Sequence, residues 1–226
     1  MCMDTPTMTR HPNYKHWPSE KRDWYDKVSG KIEKHGHTIL GTVDGKGNLK
    51  RPFAYSIGAS FSTGAEVICF FPLKGKGLEI ISGVINKVIS ALKEKNLDIE
   101  SQIINDENIY YLPIALVVLD DEEKEMVESV WPQQLLRDSL LAEFSTDDHK
   151  LLVLIATDKD GRFPWDPGCS SYWPDICPHP ITATAQVVLT GDDSLLSELE
   201  DQLGREKNTN NKDYQYFPPS VPDKKL

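Results

Sequence analysis

Ile81, Val84, Ile85, Val88, Ile89 and Leu92 fall three and four positions apart, the spacing of one face of an α-helix. The pattern predicts a core-facing helix over 78–95 that stops at Asn96. The same spacing relates Trp24, Tyr25, Val28 and Ile32, which predicts a helix capped by Ser19, running to about Lys34 and ended by Gly36. Strand patterns fill much of the remainder. HTILGTV (37–43) and PFAYSIGA (52–59) flank the glycine-bearing turn DGKGN and read as a hairpin. EVICFF (66–71) supplies a third strand, 99–104 a short one, and IYYLPIALVVL (109–119) a long one in which Pro113 marks an edge or a bulge. TATAQVVLT (182–190) reads as a last strand, and acidic helices are predicted over 120–128 and 192–204, with a further helix over 133–143.

The densest local signal is LLVLIATDKDGRFPWDPG (151–168). Its first six residues are apolar throughout, as in a strand buried on both faces. Asp158 to Gly161 then form a turn, since Asp accepts hydrogen bonds from its own backbone and Gly tolerates positive φ. Pro164 and Pro167 each fix φ and bias the preceding residue towards extended geometry, so Trp165 sits on a pre-ordered ribbon braced against the sheet.

These elements predict an α+β fold: a mixed, mainly antiparallel sheet with helices packed on it. The 226 residues divide into a flexible arm (1–17), one domain (18–204) and a proline-rich polar tail (205–226). A formal net charge of -10 leaves no basic stripe to meet a phosphate backbone, which excludes nucleic acid as a partner. No apolar run approaches the roughly 20 residues that cross a bilayer. The N-terminus has no apolar leader segment, and the expectation is a soluble, cytoplasmic protein without a membrane partner. Cys2, Cys69, Cys169 and Cys177 are scattered, and Cys69 within VICFF reads as a buried free thiol. CSSYWPDICPH holds Cys169, Cys177 and His179, but their spacing matches no standard zinc arrangement, so no metal is assigned.

HGHTILGTV (35–43), PFAYSIGA with the following EVICFF, and DKDGRFPWDPG (158–168) together resemble a bacterial family of unknown function, DUF4262. The resemblance covers roughly residues 35–168. In that family an aromatic commonly follows His-Gly, a proline precedes the glutamate, and a phenylalanine follows the last glycine. Here those places hold His37, Ala65 and Cys169. The resemblance implies an α+β fold and supplies no reaction or cofactor.

Asp158, Asp160, Arg162, Trp165 and Asp166 form the best candidate ligand-binding constellation, with His35, His37, Tyr55 and Ser56 as possible neighbours. Against this stands a structural reading, in which Arg162 bonds Asp166 or backbone carbonyls and Trp165 plugs the core. His35 and His37 straddle a glycine, and on an extended backbone both would face one side, as a two-histidine metal edge requires. Ser56 lacks a nucleophile elbow. Three functional readings follow. The first is a non-catalytic module that binds a protein partner or a second copy of itself. The second is a small-molecule or nucleotide-binding enzyme that pairs Arg162 and Asp160 with a histidine acid or base. The third is a structural component of a larger assembly.

Overall fold

The computed structural model describes residues 13–41, 53–70, 77–121, 144, 148–169, 179–198 and 201. Six strands among them form one mixed sheet: β1 (Thr38–Gly41), β2 (Phe53–Ile57), β3 (Ala65–Phe70), β4 (Gln102–Ile104), β5 (Ile114–Leu119) and β6 (Lys150–Ala156). Their spatial order is β1-β2-β3-β6-β5-β4. Only the β3–β6 pair is parallel; the other four ladders are antiparallel. The expected α+β class with a mainly antiparallel mixed sheet is therefore what the chain adopts. The central strand β6 is buried from Leu151 to Ala156, as its unbroken apolar run requires.

Helices cover both faces. Residues α1 (Ser19–His35) and α4 (His179–Thr190) lie on one, where Tyr25, Val28, Ile32, Ile181 and Ala185 join Phe53, Tyr55, Val117 and Val153 in a single apolar cluster. On the other, α3 (Gly77–Lys93) presents the expected stripe from Ile81 to Leu92 to Val67, Cys69, Leu116, Leu152 and Leu154. Each fully buried Val, Leu or Ile in these layers contributes about 1.5–3 kcal/mol from area removed from water.

Local chemistry departs from the sequence reading in several places. Residue Trp24 is 43% exposed, so the buried face of α1 is Tyr25, Val28 and Ile32. The helix begins without a side-chain cap: Ser19 is its first residue, Pro18 stands at the cap position, and Arg22 N donates to the Pro18 carbonyl. Gly36 does end it, in the left-handed conformation at φ 80°. Tyr14 and Trp17 pack on Tyr25, and the Tyr14 hydroxyl donates to Asp26 at 2.6 Å, so residues 14–17 are joined to the body.

The largest difference is α4, where a strand was expected. Residues Ile181, Thr182, Ala185 and Gln186 are buried, a three-and-four spacing that the β-branched composition of the segment masks. A single helical turn, α2 (Ser60–Thr63), was also missed. The helices expected over 120–128 and 133–143 fall largely outside the described residues.

At the end of α3 the stop is Lys95 rather than Asn96. Lys95 holds φ 58°, and Asn96 N donates across the turn to the Ala91 carbonyl at 2.9 Å. A glycine is the residue suited to that left-handed position. Lys95→Gly is expected to stabilise the protein by about 1 kcal/mol, read as a raised urea midpoint at unchanged slope.

Candidate functional site

Three polar clusters stand out among the described residues. The first is the loop after β6. Asp158, nearly fully buried, accepts hydrogen bonds at Oδ1 from Asp160 N (2.9 Å) and Arg162 N (3.0 Å), while its own N–H donates to the Arg162 carbonyl (2.8 Å). Gly161 sits between them at φ 79° and donates to the Asp158 carbonyl. The Arg162 guanidinium donates to Asp160 Oδ2 at 3.1 Å and to the Gly168 carbonyl. Asp166 Oδ2 accepts from Phe163 N at 2.7 Å. The Phe163 and Trp165 rings stack at 4.8 Å and 8°, and Trp165 packs against the core on the α1 and α4 face. All five residues named from the sequence are thus brought together and Trp165 is braced on the sheet, but the polar groups serve the loop's own clasp. Asp158→Ala is expected to cost about 2–3 kcal/mol, because two amide donors lose a buried acceptor. Asp158→Asn, which keeps Oδ1, should cost less than about 1 kcal/mol in the same denaturant titration.

The histidines are elsewhere. His37 precedes β1, whose Thr38 pairs with Ile57 at the finish of β2, near the start of β3 and β6. Asp158 follows the finish of β6. The seven residues of β6 therefore stand between them, roughly 23 Å at about 3.3 Å per residue. Hydrogen-bonded cooperation between Arg162 and either histidine is removed by that span. The two histidines are not an aligned pair either, because left-handed Gly36 turns the chain between them. His35 is exposed, whereas His37 is half-buried with Nε2 at 2.7 Å from Asn86 Oδ1 on α3. Burial, assisted by the charges of Lys93 and His35, holds the His37 pKa below its ordinary value and outweighs the opposing Asn86 bond. Among the described residues no three His, Cys, Asp or Glu side chains gather as a metal would need. Of Cys169, Cys177 and His179, Cys177 lies outside the described residues.

Tyr55 and Ser56 separate as well. The Tyr55 ring lies in the α1 and α4 core, and burial raises its pKa. Ser56 belongs to the second polar place, a buried clasp where the β2–β3 ladder ends at Tyr55↔Ile68. Beyond that pair Ser56 Oγ accepts from Val67 N at 2.9 Å and donates to Glu66 Oε2 at 2.6 Å. Glu66 Oε1 accepts from Gly58 N (2.9 Å) and Ser60 N (3.0 Å). Ser56 and Glu66 are 0% and 1% exposed, so the hydroxyl is sealed from any substrate. Burial pushes the Glu66 carboxyl above the usual carboxylate range, opposed by these hydrogen bonds and by the charge of His149.

The third place carried no motif and was missed. β4 is an outer strand: β5 holds one edge, and among the described residues no backbone hydrogen bond outside that ladder engages Gln102, Ile103 or Ile104. Beside the free edge runs a groove of about 560 Å³, walled by Asn86, Ser90 and Glu94 of α3 and closed by the turn at Asp106. Asp106 Oδ1 shapes that turn by accepting from Asn108 N at 2.8 Å, and Lys87 Nζ donates to the Ile109 carbonyl at 3.4 Å. Ile103 is 46% exposed on the rim. The signal that could have revealed it is the brevity of the strand between Glu100 and Asn105, with nothing predicted to pair beyond it.

Comparison with known proteins adds one match. The family model described as "Domain of unknown function (DUF4262)" matches residues 31–170. No curated protein and no solved structure matches the chain.

Proposed function

The chain belongs to the DUF4262 family, and from that premise we propose that the protein is a non-catalytic module that binds another protein, and that it does so along the free edge of β4. The observation that carries this reading is the outer edge of Gln102–Ile104, which no strand among the described residues pairs, beside the α3 groove. An exposed edge offers a row of donors and acceptors to an added strand, and side-chain pockets next to it supply selectivity. Two further facts support the same reading. The polar groups of the Asp158–Gly168 loop are bonded to one another, and Ser56 with Glu66 is buried beyond the reach of a substrate. A peptide-display selection on the intact protein tests it. Enriched sequences should bind the protein and lose that binding to Ser90→Trp, which fills the groove from an exposed position on α3. Failure to enrich any sequence, or binders indifferent to Ser90→Trp, would overturn the assignment.

A further inference from the structure

Glu94 and Asp106 line the groove, and the chain between and beside them adds to a negative charge that selects among strands. From Glu94 to Glu107 the chain holds five carboxylates, Glu94, Asp98, Glu100, Asp106 and Glu107, and one lysine, Lys95. All six are exposed. The nearby Lys87 is turned onto the Ile109 carbonyl. Two copies of this edge paired across a two-fold axis would bring both sets of carboxylates together, and like charges facing across an interface cost several kcal/mol. The net charge of -10 sets the same preference over longer range.

We propose that the occupant of the β4 edge is an extended, lysine- or arginine-bearing segment of another protein, which adds as a further strand. Its main chain pairs with Gln102–Ile104, and its cationic side chains meet Glu94 on the α3 wall and Asp106 at the end of the groove. This rests on the edge-binding reading above and narrows it to one chemical class. Gln102 and the buried Ile104 share the α3 side of β4, and Ile103 faces away. An added strand alternates in the same way, so every second side chain enters the groove and the intervening ones lie over Ile103. Cations therefore belong at alternate positions with apolar residues between them. The accessible length is about three to four residues, roughly 10–13 Å of extended chain.

Three labelled octapeptides test this on the full chain: alternating lysine and valine, alternating glutamate and valine, and the lysine peptide N-methylated at alternate amides. Fluorescence anisotropy reads binding, and amide hydrogen exchange reads where it occurs. The lysine peptide should bind saturably and slow exchange at 102–105. It should bind at least about tenfold more weakly to Glu94→Lys, an exposed change on the α3 wall of the groove. The N-methylated peptide, which keeps the charge and loses main-chain donors, should not bind. Equal binding of the N-methylated peptide would overturn the proposal as surface electrostatics only. Preference for the glutamate peptide with the same protected amides would remove the charge assignment and leave the edge reading standing. No protection at 102–105 by any peptide would remove both. Light scattering that shows a dimer whose formation protects 102–105 would overturn the proposal in favour of a second copy as the occupant.

Discussion

Glu66→Ala is expected to lower stability by about 3–5 kcal/mol, the scale seen when one member of a buried charged network is removed. The carboxylate gathers several donors at once: the Ser56 hydroxyl, the amides of Gly58 and Ser60, and the Ser60 side chain. Truncation leaves these donors in a buried site, each facing a desolvation penalty of about 1–3 kcal/mol that partial collapse or an entering water offsets only in part. Glu66→Gln should lose less, since its amide oxygen still accepts from both backbone donors. The same pair of variants carries a pH signature. Burial raises the folded-state pKa of Glu66 above its unfolded value, so between those two values the native state holds the proton more firmly. The contribution of Glu66 to stability is therefore greatest below the ordinary carboxylate range and declines as pH rises towards the folded-state value. Urea midpoints of the natural protein measured upward from pH 4 should show that decline, and Glu66→Gln should flatten it. A midpoint for Glu66→Ala within about 0.5 kcal/mol of the natural protein would show that the clasp contributes nothing net.

This clasp also shows where the sequence is legible and where it is not. The stripe on α3, the left-handed stop at Gly36 and the buried run of β6 follow from periodicity and from single-residue conformational preference, and both are local properties. The segment 182–190 misleads because its β-branched residues suit a strand, while Ile181, Thr182, Ala185 and Gln186 bury one helical face. Tertiary burial decides between the two, and a window of nine residues does not contain it. The candidate site divides in the same way. Residues of the loop after β6 lie together because they are neighbours in sequence. Joining them to His35 and His37 required knowing which end of the sheet each occupies, and that depends on strand order. Ser56 and Glu66 meet because the β2–β3 ladder opens after Tyr55, which no alternation pattern encodes.

Gly58→Ala carries the second large effect, expected at about 3 kcal/mol. Two causes combine there. Gly58 holds φ 86°, where a side chain strains the backbone by about 1–2 kcal/mol. An added Cβ would also stand 2.9 Å from Ile32 Cγ2, and Ile32 is fully buried on α1 with no room to withdraw. Overpacking of this kind costs about 1–3 kcal/mol. A double-mutant cycle with Ile32→Ala separates the two. Ile32→Ala alone should cost about 2–5 kcal/mol through the cavity it leaves. In the double variant the Cβ enters that space, so the combined loss should fall short of the sum by about 1–2 kcal/mol while the backbone strain persists. The same coupling bears on the Glu66 clasp, because Gly58 N is one of the donors to its carboxylate and the position of that amide is fixed by the turn. If the single losses add without remainder, α1 does not rest on the Gly58 backbone, and the path from the first helix through β2 to the buried carboxylate is broken at that step.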